Sequence, residues 1–341
     1  MASKTGRRLN IIISTLLLAL FLYLAFRNVD LKELFNILKT TNYLYVFVGI
    51  LIGALGGSLV RSYRWKFLLE PIKSDIKFKN LFSTTVVGYM LNNLIPRSGE
   101  VARPYLLGKN EGISKMAAFG TIILERIIDT VIFLLMFGFC LIFFKNRISN
   151  AFPQIGSAVV ILIVLIFVLF AWIIFTMFRT ELSLKIVKVI TKILPRKYQA
   201  RIDSLFASLV NSFEILKKPK LLVKIGVYTI ILWFVYLVST LIPFYSFDIL
   251  TNGSVWLSLW NANLLLVLIN VSMFVPAPAG TGPYHYVCKV TLTSIFSISE
   301  VNALGYATST HLMGFILYFI GGMYYFISMN YKFSELKEKT I

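Results

Sequence analysis

The sequence predicts an all-α polytopic membrane protein. Of its 341 residues, 57% are hydrophobic and 14% are charged, whereas soluble domains average about 25% charged residues. The mean hydropathy is +0.78. The apolar runs are unbroken and long enough for membrane helices, and they lack the period-two alternation of a membrane β-barrel. This composition excludes a soluble globular domain.

The charge distribution predicts the orientation in the membrane. The 34 Lys and Arg residues outnumber the 15 Asp and Glu residues, for a net charge of +19. The excess falls in particular loops, as the positive-inside rule requires, so anionic lipid headgroups are the expected partners and no nucleic acid is indicated. Lys4, Arg7 and Arg8 place the N-terminus in the cytoplasm, and the basic tail 332–341 places the C-terminus there too. The expected location is a bacterial-type cytoplasmic membrane.

Six apolar segments predict single crossings. They are 9–26, 43–60, 116–144, 157–178, 225–246 and 303–328. The first extends too far for a cleaved signal peptide, so we interpret it as an uncleaved span. Between the crossings, 27–42 is a predicted outer loop, and the basic stretch 61–79 is a predicted cytoplasmic loop with Trp65 at the interface.

We predict that residues 81–112 form a re-entrant hairpin on the cytoplasmic side. The apolar part, 81–95, is short for a crossing and ends at Pro96, which Gly99 soon follows. Irregular backbone at membrane depth is tolerated only where protein or a watery cavity surrounds it. The alternative is a polar cytoplasmic loop between two ordinary spans.

Residues 256–298 predict a second broken hairpin, which enters from the outer side. The helix breakers here are Pro276 and Pro278. Two opposed broken elements are the best sequence indicator of a transport site near the membrane midplane. If both hairpins cross fully, eight crossings satisfy the loop charges as well as six do. Either arrangement makes 1–341 a single membrane domain.

Residues 181–220 predict amphipathic helices on the inner leaflet. Leu182 and Ile186 recur at helical spacing between Lys185 and Lys188, which is typical of a helix lying in the membrane interface. The alternative is a solvated helical hairpin.

Six ionisable residues are expected inside the membrane, where such residues are functional candidates. They are Arg97, Glu100, Arg103, Glu125, Arg126 and Asp129, three basic and three acidic. Arg126 and Asp129 lie three residues apart on one helical face, and Glu125 is expected to face away from them. In a structural role these ion pairs fix the hairpin to helix 116–144.

In a functional role, the arginines grip a lipid phosphate through bidentate hydrogen bonds. Glu100 and Asp129 then orient the arginines or meet an amino headgroup. The structural and the functional role are compatible.

The second break carries candidate anion contacts at Gly280 and Gly282, because broken helices expose N–H groups. It lacks the Gly-x4-Gly-Lys-Ser/Thr pattern of a nucleotide site. His285 is either a proton relay or a packed, hydrogen-bonded histidine. Cys140 and Cys288 lie in apolar segments and form no zinc spacing, so neither a metal nor a cofactor is expected.

Four blocks together resemble the lysylphosphatidylglycerol synthase transmembrane-region family, also called flippase-like. They are Asn92–Arg103, the Glu-Arg-x-x-Asp element Glu125–Asp129, Arg64-Trp65 and Pro276–Gly282. The resemblance covers nearly the whole chain and keeps the blocks in order. His285 departs from the family pattern, which usually has a glutamate there, and this puts a lipid-ammonium contact at that position in doubt.

The family includes the membrane half of the multiple peptide resistance factor, which is thought to move aminoacylated phosphatidylglycerol between leaflets. A separate soluble domain transfers the amino acid there. The present chain ends soon after its last predicted span, so the resemblance implies the flippase-like part without a synthase domain.

These observations predict a flippase-like protein that is not an enzyme. It would move an anionic or aminoacylated phospholipid, or a polyprenyl-type lipid, between leaflets without ATP. One alternative is a non-catalytic membrane partner of a lipid- or glycan-modifying enzyme. Another is an intramembrane lipid-phosphate transferase with Glu100 and His285 as base and acid. The driving force and the oligomeric state, a homo-oligomer included, stay open.

Overall fold

The computed structural model describes residues 4–152, 179–192, 218–250 and 254–332, with separate positions between 164 and 215. Within this described part, all regular secondary structure is helical. The α-helices are α1 Lys4–Phe26, α2 Leu31–Thr40, α3 Tyr43–Leu51, α4 Gly57–Leu69, α5 Phe78–Leu94, α6 Ser98–Glu111, α7 Lys115–Ala151, α8 Thr180–Thr191, α9 Pro219–Leu241, α10 Val255–Ser272, α11 Pro283–Val290 and α12 Glu300–Ser328. The predicted all-α membrane fold is confirmed.

Among the described residues, five helical segments are long and apolar enough to cross a membrane. They are Tyr43–Leu69, Lys115–Ala151, Pro219–Ser246, Val255–Ser272 and Glu300–Ser328. A sixth crossing results if the pair Ile12–Phe26 and Leu31–Thr40, bent by 86°, counts as one broken span. The predicted crossing 157–178 lies largely outside the described residues.

The predicted outer loop 27–42 is wrong in its secondary structure, because α2 occupies most of it. Asp30 caps this helix: its carboxylate accepts hydrogen bonds from the backbone N–H groups of Lys32 (2.8 Å) and Glu33 (3.2 Å). An aspartate at this position satisfies the otherwise unpaired donors of the first turn. Leu34 is buried, so the helix packs against the bundle.

The predicted cytoplasmic loop from residue 61 is also wrong in its first part. The helix of the second crossing continues through a π-helical turn, Ile52–Gly56, into α4. Close packing against α9 explains this continuity. A side chain at Gly53 would overlap Ser239, and one at Gly57 would come within 2.9 Å of Tyr236. Small residues allow this approach of two membrane helices.

The first hairpin consists of α5 and α6, joined by a break at residues 95–97. Arg97 takes a left-handed conformation with φ of 62°. The Asn92 side chain accepts a hydrogen bond from the Gly99 N–H (2.7 Å), and a Cβ atom at Gly99 would overlap the Gly88 carbonyl. Glycine is therefore required where the two arms cross. The membrane face from which the hairpin enters remains a prediction.

The second broken region lies between α10 and α11. Residues 273–282 are non-helical apart from a 3-10 turn at Pro278–Gly280. The backbone is left-handed at Ala279 (φ 54°), Gly280 (φ 70°) and Gly282 (φ 92°). Pro276 and Pro278 lie inside this break, where the sequence predicted them. The side of the membrane from which it enters is likewise still a prediction.

Helix α8 is the main described part of the predicted amphipathic segment 181–220, in which residues 193–217 are described only at separate positions. Leu182, Ile186 and Val189 are exposed beside Lys185. Apolar side chains exposed next to lysines are typical of interfacial helices.

Candidate functional site

A buried ion cluster lies where α4, α6 and α7 meet. Glu125 of α7 is fully buried and accepts from three arginines: Arg61 (2.7 Å), Arg126 (2.7 Å) and Arg103 (3.3 Å). Asp129, one turn further along α7, lies 3.2 Å from Arg126 and 3.3 Å from Arg61.

Helix α4 places two arginines in the cluster because they lie three residues apart on one face. Arg61 reaches both carboxylates, and Arg64 lies 2.6 Å from Asp129. The guanidinium of Arg103 lies 4.5 Å from the ring centre of the buried Trp65. The Trp65 indole N–H in turn donates to Thr121 of α7 (2.9 Å). Ion pairs and ring contacts thus hold α6 against α4 and α7.

The cluster contains more positive than negative charge. Four arginines, Arg61, Arg64, Arg103 and Arg126, surround two carboxylates, Glu125 and Asp129. The buried Nε groups of all four arginines have no hydrogen-bond partner among the described residues. The nearby carboxylate of Glu100 reduces the excess to one positive charge. Because a buried charge is costly unless it is paired, this excess favours an anion nearby.

A cavity of about 360 Å³ opens beside the cluster, within the range of roughly 300–1,000 Å³ found for small-molecule sites. Its charged lining residues are Arg61, Glu100, Arg103 and Arg126. The second broken region contributes Met273 to the same cavity, and the helices that flank the break contribute Asn270 of α10 and Tyr284 of α11. Both broken segments therefore border one space.

The predicted site residues lie in different parts of the structure. Glu100, Arg103 and Arg126 line the cavity, and Glu125 and Asp129 lie behind the arginines. Arg97 is exposed at the tip of the hairpin.

The residues around the second break form a separate group. Gly280, Gly282 and His285 are not among the lining residues of the arginine cavity. His285 is buried, and its ring centre lies 4.9 Å from that of His311. The Gly282 N–H points at its Nδ1 atom at 3.5 Å. Within the described part of the chain, no group of three or more His, Cys, Asp or Glu residues could hold a metal ion.

Two predictions about the cluster were wrong. Glu125 does not face away from Arg126 but forms an ion pair with it at 2.7 Å. The cluster is also not neutral. It contains Arg61 and Arg64, which were predicted to lie in a cytoplasmic loop. Their i, i+3 spacing places them on one helical face, but the same spacing occurs in cytoplasmic helices and does not by itself indicate a buried cluster.

Residues 11–322 match the protein family described as the lysylphosphatidylglycerol synthase TM region. A UPF0104 membrane protein of Methanocaldococcus jannaschii is 36% identical over 127 residues, which are 36% of this chain and 38% of that protein. A UPF0104 membrane protein of Methanothermobacter thermautotrophicus is 30% identical over 107 residues, 30% of this chain and 31% of the relative.

The chain thus matches about a third of the length of these two curated relatives. No solved structure shows a significant match. The family match covers far more of the chain than either relative does. The chain belongs to the lysylphosphatidylglycerol synthase TM region family.

Proposed function

We propose that this membrane protein moves a lipid with an anionic headgroup between the leaflets of the cytoplasmic membrane, without ATP and without chemical conversion of the lipid. One observation carries the proposal: the cavity is bordered by both broken helical regions and by an arginine cluster with excess positive charge. Broken helices around a central cavity are typical of secondary transporters.

The lipid phosphate would occupy the arginine side of the cavity. Arg61, Arg103 and Arg126 line it, and each has an unpaired buried Nε donor. A guanidinium binds phosphate through two parallel hydrogen bonds. Glu125 and Asp129 hold the guanidiniums in position, so that the structural and functional roles of the cluster coincide.

The orientation belongs to the same proposal. Both termini lie in the cytoplasm, the first hairpin enters from the cytoplasmic side, and the second enters from the outer side. An alternating exposure of the cavity would then let the headgroup leave towards either leaflet while the acyl chains stay in lipid.

Leaflet exchange in proteoliposomes tests the proposal, with fluorescent phosphatidylglycerol and a polyprenyl phosphate as probes. We expect Arg126→Gln to slow exchange about ten- to hundredfold, the effect of losing one charge-assisted hydrogen bond. The matched control is Arg147→Gln, the same change at an exposed position of α7, which should leave the rate unchanged. Exchange no faster than in empty liposomes for every probe would refute the proposal.

A further inference from the structure

A second cavity, of about 250 Å³, adjoins the arginine cavity. Five residues line both: Ile50, Tyr236, Ser239, Met273 and Tyr284. The two spaces are therefore neighbouring compartments, and the second compartment lies beside any ligand that the arginines hold.

The second compartment is uncharged, and polar side chains make up half of its lining residues. None of its lining residues is Lys, Arg, Asp or Glu, as far as the structure describes the chain. Its polar groups are hydroxyls, one amide and one imidazole, from Asn93, Tyr236, Ser239, Tyr284, Thr310, His311 and Tyr318. The two compartments therefore differ in charge, while Tyr236, Ser239 and Tyr284 supply hydroxyls to both.

One polar group in this compartment has no partner. The buried Nδ2 atom of Asn93 donates no hydrogen bond among the described residues. His311 and Tyr284, by comparison, pair with Thr281 (3.0 Å) and Thr310 (2.9 Å). Buried polar atoms are nearly always hydrogen-bonded, so the Asn93 amide at the edge of this compartment has the capacity for one further hydrogen bond.

We infer that the transported lipid carries an uncharged, hydroxyl-rich group on its phosphate, and that this group occupies the second compartment. The inference rests on the proposed function. A hydroxyl both donates and accepts hydrogen bonds, as amide, hydroxyl and imidazole groups require. An ammonium group would lose its hydration there without a carboxylate to pair with. Glu100, the carboxylate lining the site, lies in the arginine compartment.

Two lipid sources share this chemistry: glycerophospholipids with a glycerol or inositol headgroup, and polyprenyl phosphates that carry a sugar. Proteoliposomes of the full chain would be assayed with lipids of identical labelled tails. The glycerophospholipid set is phosphatidylglycerol, phosphatidylinositol, phosphatidylethanolamine and phosphatidic acid. The polyprenyl set is a bare and a glucosylated polyprenyl phosphate.

We expect the hydroxyl-bearing member of at least one set to exchange about tenfold faster than its amine-bearing or bare counterpart. The set that shows the preference identifies the lipid source. If phosphatidylethanolamine and the bare phosphates exchange as fast as the hydroxylated lipids, the inference is overturned and the proposed function stands. Exchange of no lipid at all would overturn both.

Two substitutions address the compartment itself. Asn93→Asp keeps the shape and adds a carboxylate, so it should shift the preference about tenfold towards phosphatidylethanolamine. Tyr318→Phe removes one lining hydroxyl and should slow hydroxylated lipids about three- to tenfold without affecting phosphatidic acid. Tyr324→Phe, the same change at a 63% exposed position of α12, is the control. If neither substitution changes the relative exchange rates of the lipids, the headgroup lies outside the second compartment.

Discussion

At the scale of single residues, Glu125 pairs with more arginines than Asp129, the other carboxylate of the ion cluster. Its side chain is fully buried and lies within 4 Å of four guanidiniums, those of Arg61, Arg64, Arg103 and Arg126. Replacing a buried ion pair by apolar residues can be neutral, but removing one partner leaves uncompensated charge. The cluster therefore depends on this carboxylate more than on any one arginine.

We expect Glu125→Gln to lower the free energy of unfolding by about 3–5 kcal/mol, because four arginines then lose one charged partner. Thermal unfolding of the purified protein in detergent measures the loss. Glu70→Gln, the same change at an exposed residue after α4, should be neutral. Equal melting temperatures for the two variants would contradict the central role of Glu125.

At the scale of elements, the first hairpin is held together at both ends. Near its tip, Gly88 and Gly99 bring the backbones of α5 and α6 into contact. At its base, Glu111 accepts hydrogen bonds from the Lys77 N–H (3.1 Å) and Asn80 (2.6 Å) and pairs with Lys73 (2.9 Å). The two arms thus behave as one unit that carries Arg103.

The close approach of α5 and α6 predicts that a larger side chain at Gly99 destabilises the protein. Gly99→Ala would force α5 and α6 apart and should cost about 1–3 kcal/mol of stability, as overpacking does. Gly138→Ala in α7 is the matched control, because a Cβ atom there meets nothing within 4 Å. This control should be neutral or stabilise by up to about 1 kcal/mol, since alanine favours helix. A fully stable Gly99→Ala protein would exclude the close approach.

At the base of the hairpin, the partners of Glu111 predict that the stability of the protein depends on pH. Burial raises the pKa of Glu111, but hydrogen bonds from Lys73, Asn80 and Lys77 outweigh it and leave the pKa below its usual value of 4.5. A lowered folded-state pKa stabilises the protein above the unfolded pKa, and this contribution is lost as pH falls through the folded value.

We therefore expect the melting temperature to fall on acidification below about pH 4.5. Glu111→Gln should reduce that slope, because the substituted side chain does not titrate. Melting curves from neutral pH to the lowest pH at which the protein stays soluble give both slopes. Identical slopes for the wild type and the variant would assign the acid sensitivity to other carboxylates.

At the scale of the whole molecule, the sequence was sufficient for the fold class, for most crossings and for both broken regions. These features follow from hydropathy, proline and glycine, which act locally. The roles of Arg61 and Arg64 could not be found this way. Arginines after an apolar run have the same pattern whether they enter cytoplasmic water or a buried cluster, and only the distant Glu125 and Asp129 distinguish the two. The adjoining cavities likewise depend on packing between segments far apart in sequence.

The proposed orientation predicts opposite labelling of two positions. Lys32→Cys should react with a membrane-impermeant maleimide in intact cells, whereas Asp75→Cys should react only after permeabilisation. Both positions are exposed, and the native Cys140 and Cys288 are buried, which keeps the background low. The reverse pattern would invert the orientation.

The π-helical turn Ile52–Gly56 determines how far α4 is rotated about the helix axis relative to α3, within one membrane span. An α-helix advances by about 100° per residue, and a π turn accommodates one residue more than an α turn does. Without that residue, α4 would turn by about a quarter of a circle relative to α3. Arg61 and Arg64 would then rotate away from α7 while α3 kept its packing. A single extra residue in an apolar turn thereby decides whether two guanidiniums meet carboxylates or hydrocarbon.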